Sequence, residues 1–197
     1  MQRTSTTVVA LVGERAAAGV AALGRASNVV AHLADAEVPP LDRAVDAWGV
    51  AARTHSPYFV HDADPLAVVV DAWVRRYDES GPIGELEVAV TETVARWRAR
   101  SIELPDYYLV LDAETWGPTR RHWYLGVLHE AGPARVVPAV GDPLILADTL
   151  GHLAAGRWWP DVDRLLDGVD RVVPDRIGRT VAEGPAPERL SADLGSR

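Results

Sequence analysis

The sequence predicts an α/β fold. The expected domain is small, with two or three layers, about three short parallel strands, an N-terminal helical segment and a disordered C-terminal tail. Three observations carry this. Apolar, β-branched and aromatic runs end in acidic residues at "YFVHDAD" (58–64), "YYLVLD" (107–112) and "VVPAVGD" (136–142). Between them, apolar residues recur three and four apart, the helical period. From residue 175 onward Gly, Pro and charge replace that period. The chain therefore divides into a helical segment over 1–55, an α/β core over 56–174 and a flexible tail over 175–197.

Each element has its own signals. Val8, Leu11, Val12, Ala16, Val20 and Leu23 fall at helical spacing, with Ser5 or Thr6 as the N-cap. Gly13 and Gly19 weaken that helix, and "TTVVALV" alone also fits a strand. "EVPP" (37–40) is a break, and 41–54 is a helix with Leu41, Val45, Trp48 and Ala52 on one side. A short strand at 57–60 leads to Asp64 as N-cap and Pro65 at the first helical position, where a missing N–H costs nothing. Leu66, Val69, Val70, Trp73 and Tyr77 then line one helix face. After "SGPIG", a helix over 83–100 aligns Ile83, Leu86, Val90, Val94 and Trp97.

Residues 107–112 form a buried strand. The next stretch fits either a hairpin, with a second strand in "RHWYLGVLHE", or a helix over 118–131. The helix is preferred: Pro118 suits its start, Tyr124, Val127, Leu128 and Ala131 keep its period, and Gly132-Pro133 stops it. With a strand over 134–140, the unit is strand–helix–strand, which implies a right-handed crossover and parallel neighbours. Asp142 and Pro143 then open a helix carrying Leu146, Leu150 and Leu153, and a last helix begins at Pro160.

Composition removes several chemistries. The 197 residues are 48% hydrophobic and 24% charged, enough for a real core. No apolar stretch is long enough to span a membrane, and the N-terminus does not read as a signal peptide, so a cytoplasmic location is the default expectation. Cys is absent, which excludes disulfides, thiolate nucleophiles and zinc–thiolate sites. All 20 basic residues are Arg, so a P-loop lysine and a Schiff-base lysine are excluded. A net charge of −8 makes nonspecific nucleic-acid binding unfavourable.

In parallel α/β sheets, ligands bind beyond the carboxyl ends of the strands. Here each predicted strand runs into acid: His61, Asp62 and Asp64, then Asp112 and Glu114, then Asp142. Hard oxygen ligands of this kind suit Mg²⁺ or Mn²⁺. The candidate metal ligands are Asp62, Asp112 and Asp142, and the candidate catalytic residues are Asp112 and Glu114. "LVLDAET" resembles the first acidic motif of DEDD-type exonucleases, matched at Asp112, Glu114 and Thr115. "YFVHDADPL" and "VVPAVGDPLILAD" are similar to motifs of the haloacid dehalogenase superfamily, matched at Asp62, Asp64, Gly141, Asp142 and Asp148, with Leu66 where that family has Thr. Either resemblance implies metal-assisted hydrolysis or phosphoryl transfer.

Against this, Asp64 and Asp142 each precede Pro, so helix capping accounts for them. Asp112 ends the most apolar strand and is not needed as a cap. Two function classes follow. One is a soluble, non-catalytic interaction or regulatory protein with a protein partner or self-association, in keeping with the Trp and Arg of "TWGP" and "RWWP". The other is an Mg- or Mn-dependent hydrolase or phosphoryl-transfer enzyme using the acidic strand ends.

Overall fold

A computed structural model describes residues 6–79 and 81–174. The tail expected over 175–197 and the Ser5 cap lie outside the described residues. The strands are β1 (Thr7–Val12), β2 (Val29–His32), β3 (Tyr58–His61), β4 (Tyr107–Leu111) and β5 (Val136–Ala139). They form one parallel sheet in the order β2-β3-β1-β4-β5. The helices are α1 (Ala16–Leu23), α2 (Pro40–Ala51), α3 (Ala67–Asp78), α4 (Ile83–Arg98), α5 (Pro118–His122), α6 (His129–Ala131), α7 (Pro143–Gly151) and α8 (Val162–Leu166). A π-helical turn, Trp123–Leu128, joins α5 to α6.

The α/β class is as expected, but the sheet has five strands rather than about three. The two additional strands lie in the stretch predicted to be helical. β1 is the central strand, buried along Val8 to Val12. A strand covered on both faces reads as a continuous apolar run. Within such a run every spacing finds an apolar residue, so Val8, Leu11 and Val12 mimic a helical stripe. β2 has only four residues, at the sheet's edge, and its centre is exposed, so it gives almost no burial pattern.

Right-handed crossovers fix which face each helix covers. The chain leaves β1 toward β2, whereas β2, β3 and β4 lead back in the opposite direction across the sheet. Accordingly α1 covers one face and α7, which follows the last strand, joins it there; Val20, Leu23, Leu146 and Leu150 meet Val9, Leu11, Leu109 and Leu111. The other face is covered by α2, α3, α4, the π turn and α8. There Val69, Trp73, Leu86, Trp123 and Leu166 join Ala10, Tyr108 and Val110, while Ala51 packs with Val8 and Phe59. The result is three layers.

Residues 118–131 are helical throughout, as predicted, and β4 and β5 are parallel neighbours. No periodicity announced the π turn. It holds Trp123, Tyr124 and Leu128, all buried. Such turns recur at strained or functional positions.

One buried cation fastens the far side of the sheet. Arg135 donates to the carbonyls of Gly156 (2.9 Å), Arg157 (3.2 Å) and Asp106 (3.4 Å). Its guanidinium lies 4.9 Å from the centre of the Tyr107 ring and 4.5 Å from that of Trp158. It thereby ties the segment after α7 to the start of β4. Arg135→Ala is predicted to cost ~2–3 kcal/mol, combining lost charged hydrogen bonds with lost cation–π attraction. Arg135→Lys should recover only part, since an ammonium cannot present the same planar fork. Denaturant melts of the two variants check the ranking.

Candidate functional site

The strand order places a crevice beside β1. Its chain leaves toward the α1 face, while the chains leaving β3 and β4, on either side of it, turn to the opposite face. This is the topological switch point where open α/β sheets hold their ligands. The loop that opens there is Gly13-Glu14-Arg15. Gly13 has φ +124°, and a Cβ on it would stand 2.9 Å from the Leu111 carbonyl oxygen and 2.9 Å from the Trp116 ring. Only glycine fits both the backbone conformation and the space.

Asp112 faces this loop from the end of β4. Its backbone is left-handed (φ 49°, ψ 42°), a conformation that Asp and Asn tolerate better than most residues. Its Oδ1 accepts the Gly141 N–H at 3.1 Å, and Arg15 Nη1 lies 3.5 Å from its Oδ2. That Oδ2 is buried and accepts no hydrogen bond. Its backbone N–H donates to the Ala139 carbonyl, and its carbonyl accepts from Thr115 N and Oγ1. One residue thus joins the ends of β4 and β5 to the loop after β1. Arg15 also covers Gly141, where a Cβ would meet its Nε at 3.0 Å.

The other predicted site residues have separate attachments. Asp62 Oδ1 accepts the Ala34 N–H at 2.8 Å, binding the end of β3 to the chain leaving β2. β1 lies between β3 and β4, so Asp62 and Asp112 end strands roughly 9–10 Å apart. Asp142 caps α7, accepting from Leu144 N and Ile145 N at 2.9 and 3.3 Å. Glu114 is exposed in the 3₁₀ turn Ala113–Thr115. Asp148, from the dehalogenase-like set, pairs with His152 on the exposed side of α7. Among the described residues, no group of three or more His, Asp or Glu side chains could hold a metal ion.

Two arrangements have no signal in the sequence. The first is the pairing of Arg15, in "GERAAAG", with Asp112. The second surrounds Asp64. It is not the N-cap expected of it: α3 begins at Ala67 after Leu66, Pro65 lies in the turn before the helix, and Asp64 closes that turn by accepting from Leu66 N at 2.8 Å. It also accepts from Tyr108 Oη at 2.9 Å and Tyr124 Oη at 2.6 Å. Burial raises its pKa, against the effect of these hydrogen bonds, and burial and Asp64 together raise both tyrosines well above their ordinary value. Trp116 packs edge-on against Tyr124 above this knot. The tyrosines lie 44 and 60 residues from Asp64, so no local signal announced them.

One phosphate-cradling loop between strand and helix, the P-loop, has the pattern G-x-x-x-x-G-K-[ST]. Counted from Gly13, the last three places hold Ala18, Gly19 and Val20. Val20 is fully buried, and a Cβ at Gly19 would meet Leu11 Cδ2 at 2.8 Å and Leu146 Cδ1 at 3.1 Å. The positions that handle phosphate in that motif are here committed to packing α1 on the sheet. Compared with protein-family models, curated proteins and solved structures, the chain matches none.

Two predictions follow from this geometry. Asp112→Asn should cost under ~1 kcal/mol, because Asn tolerates the left-handed backbone and can still accept from Gly141. Asp112→Ala should cost ~2 kcal/mol or more, through backbone strain and an orphaned N–H. Thermal melts separate the two. The second concerns His61, fully buried against Phe59, with its pKa lowered from 6.5 to about 3 by burial and then by the charge of His32. Between those values the unfolded chain binds the proton and the folded chain does not. Stability must therefore fall as pH drops from about 6.5 toward 3, by up to about 1.4 kcal/mol per pH unit. Asp64 acts oppositely: its contribution is full below 3.8 and lost as pH rises through its raised folded value. His61→Leu should flatten the acid limb of a stability–pH profile, and an unchanged slope would refute the assignment.

Proposed function

We infer that this chain is a non-catalytic interaction or regulatory protein. The observation that carries the reading is the occupation of the switch point by the protein's own groups. Arg15 pairs with Asp112 across the mouth of the crevice, Asp112 is further engaged by Gly141, and Gly19 and Val20 of the helix that follows are packed onto the sheet. Asp62 and Asp142 bind backbone amides instead of converging on a shared point. Carboxylates used in this way hold loops together. Among the described residues, no helix is long and apolar enough to cross a membrane.

One observation favours the second reading, a Mg²⁺- or Mn²⁺-dependent hydrolase or phosphoryl-transfer enzyme. Asp112 combines a left-handed backbone with an Oδ2 that accepts no hydrogen bond. Strain of this kind collects at functional sites. A divalent ion replacing Arg15 would use that oxygen, with Glu114 as the nearby second acid in sequence.

A thermal titration decides between them. Ligands that bind only the folded state raise the melting temperature by mass action, by about 2.7 kcal/mol at a hundred times Kd. The interaction reading predicts a flat melting temperature through millimolar Mg²⁺ and Mn²⁺. A saturable rise that Asp112→Asn abolishes would overturn it in favour of the enzyme.

A further inference from the structure

The two edges of the sheet are built differently. In a parallel ladder, alternate residues of an edge strand direct their backbone groups to the neighbour, and the residues between them direct theirs outward. On β5, Tyr108 N donates to the Arg135 carbonyl and Asp112 N to the Ala139 carbonyl. Arg135, Val137 and Ala139 thus face β4, and Val136 and Pro138 face outward. Pro138 has no N–H to offer there, which blocks pairing with another strand.

On β2, Tyr58 N donates to the Asn28 carbonyl, and Val29 is in register with Tyr58. Asn28, Val30 and His32 therefore face β3, while Val29, Ala31 and Leu33 face outward. Ala31 holds the place on this edge that Pro138 holds on the other, with its N–H and carbonyl both present. From Asn28 to Leu33 the chain has no Asp, Glu, Arg or Pro. Ala31 is exposed, and Val30 and Leu33 are 37% and 50% exposed. Edge strands of soluble proteins are ordinarily protected by shortness, charge, proline or a cover; among the described residues β2 has only the first, at four residues.

We propose that the outer edge of β2 is a self-association surface, on which the β2 of a second copy adds antiparallel about a two-fold axis at Ala31. The edge is complementary to itself. With the axis at Ala31, the two Ala31 residues exchange both N–H···O bonds, and Leu33 N–H donates to the partner's Val29 carbonyl on either side. Val29 N, already bonded to the Ala26 carbonyl, is not needed. On one face Val29 stands opposite Leu33, and on the other Val30 stands opposite His32. These apolar and aromatic pairs are the favourable cross-strand kind, and no like charges meet. A two-fold axis makes the contact isologous and closed, so it ends at the dimer with ten continuous strands. A heterologous partner would need a strand of its own; a second copy supplies one of matching length and polarity. This gives the interaction reading a surface, and its failure would leave the outcome of the metal titration unchanged.

Sedimentation equilibrium on the full chain tests it. The expected result is a weight-average mass rising with concentration from 21.3 kDa toward twice that value. Ala31→Pro, which removes the central outward N–H, and Leu33→Lys, which sets a charge on the edge, should each weaken association at least tenfold. Circular dichroism and a cooperative melt show whether each variant keeps the monomer fold, and Leu33→Lys serves if Ala31→Pro does not. A single-chain mass at every concentration overturns the proposal. So does a dimer that both folded variants leave intact, or growth beyond two chains.

Discussion

The structure depends on the central position of β1 and on the direction in which its chain leaves. β1 is buried on both faces and pairs with β3 on one side and β4 on the other. Because crossovers are right-handed, a chain heading from β1 toward β2 must cover the face opposite to that used by the chains leaving β3 and β4. That constraint splits the helices between two faces and separates the apolar core into two main clusters. It also leaves a gap at the carboxyl end of β1, which the protein must either fill or use.

The protein fills it. Gly13 admits the Trp116 ring and the Leu111 carbonyl, Arg15 reaches over Gly141, and Asp112 takes a left-handed backbone to face both. Deeper in, Asp64 holds two tyrosine hydroxyls, one from β4 and one from the π turn. A buried carboxyl without donors would be costly. With Leu66 N, Tyr108 and Tyr124 supplied, the same group specifies how the π turn must sit on the sheet. The π turn and the left-handed Asp112 are thus two local irregularities beside one crevice.

Much of the architecture was legible where punctuation and period agreed. Pro118 and Gly132-Pro133 bracketed a helix whose interior apolar residues kept its spacing, and the parallel pairing of β4 with β5 followed. Asp142 was read as a cap and is one, accepting two amides of α7. The failures have physical causes. "TVVALV" is apolar at every position, so its period is undefined, and β2 is too short and too exposed to show one. The site was only half visible. Asp112 stood out because it ends an apolar strand without being a cap. Its partners Arg15 and Gly141 are 97 and 29 residues away in sequence, and long-range pairing leaves no local trace. Asp64 looked fully explained as the cap of α3; the helix instead starts after Leu66, and the carboxylate closes the preceding turn and holds the two tyrosines.

The central claim is that the crevice at the end of β1 is closed by the protein's own side chains. The most direct measurement is native-state hydrogen exchange of the Gly141 amide, which donates to Asp112 across the crevice. If the closure is a fixed part of the fold, Gly141 exchanges nearly as slowly as the amides of β4, and Arg15→Ala accelerates it while β4 stays protected. If Gly141 exchanges at loop rates in the wild-type protein while β4 is protected, the crevice is open in solution, and the claim of a self-filled switch point is contradicted.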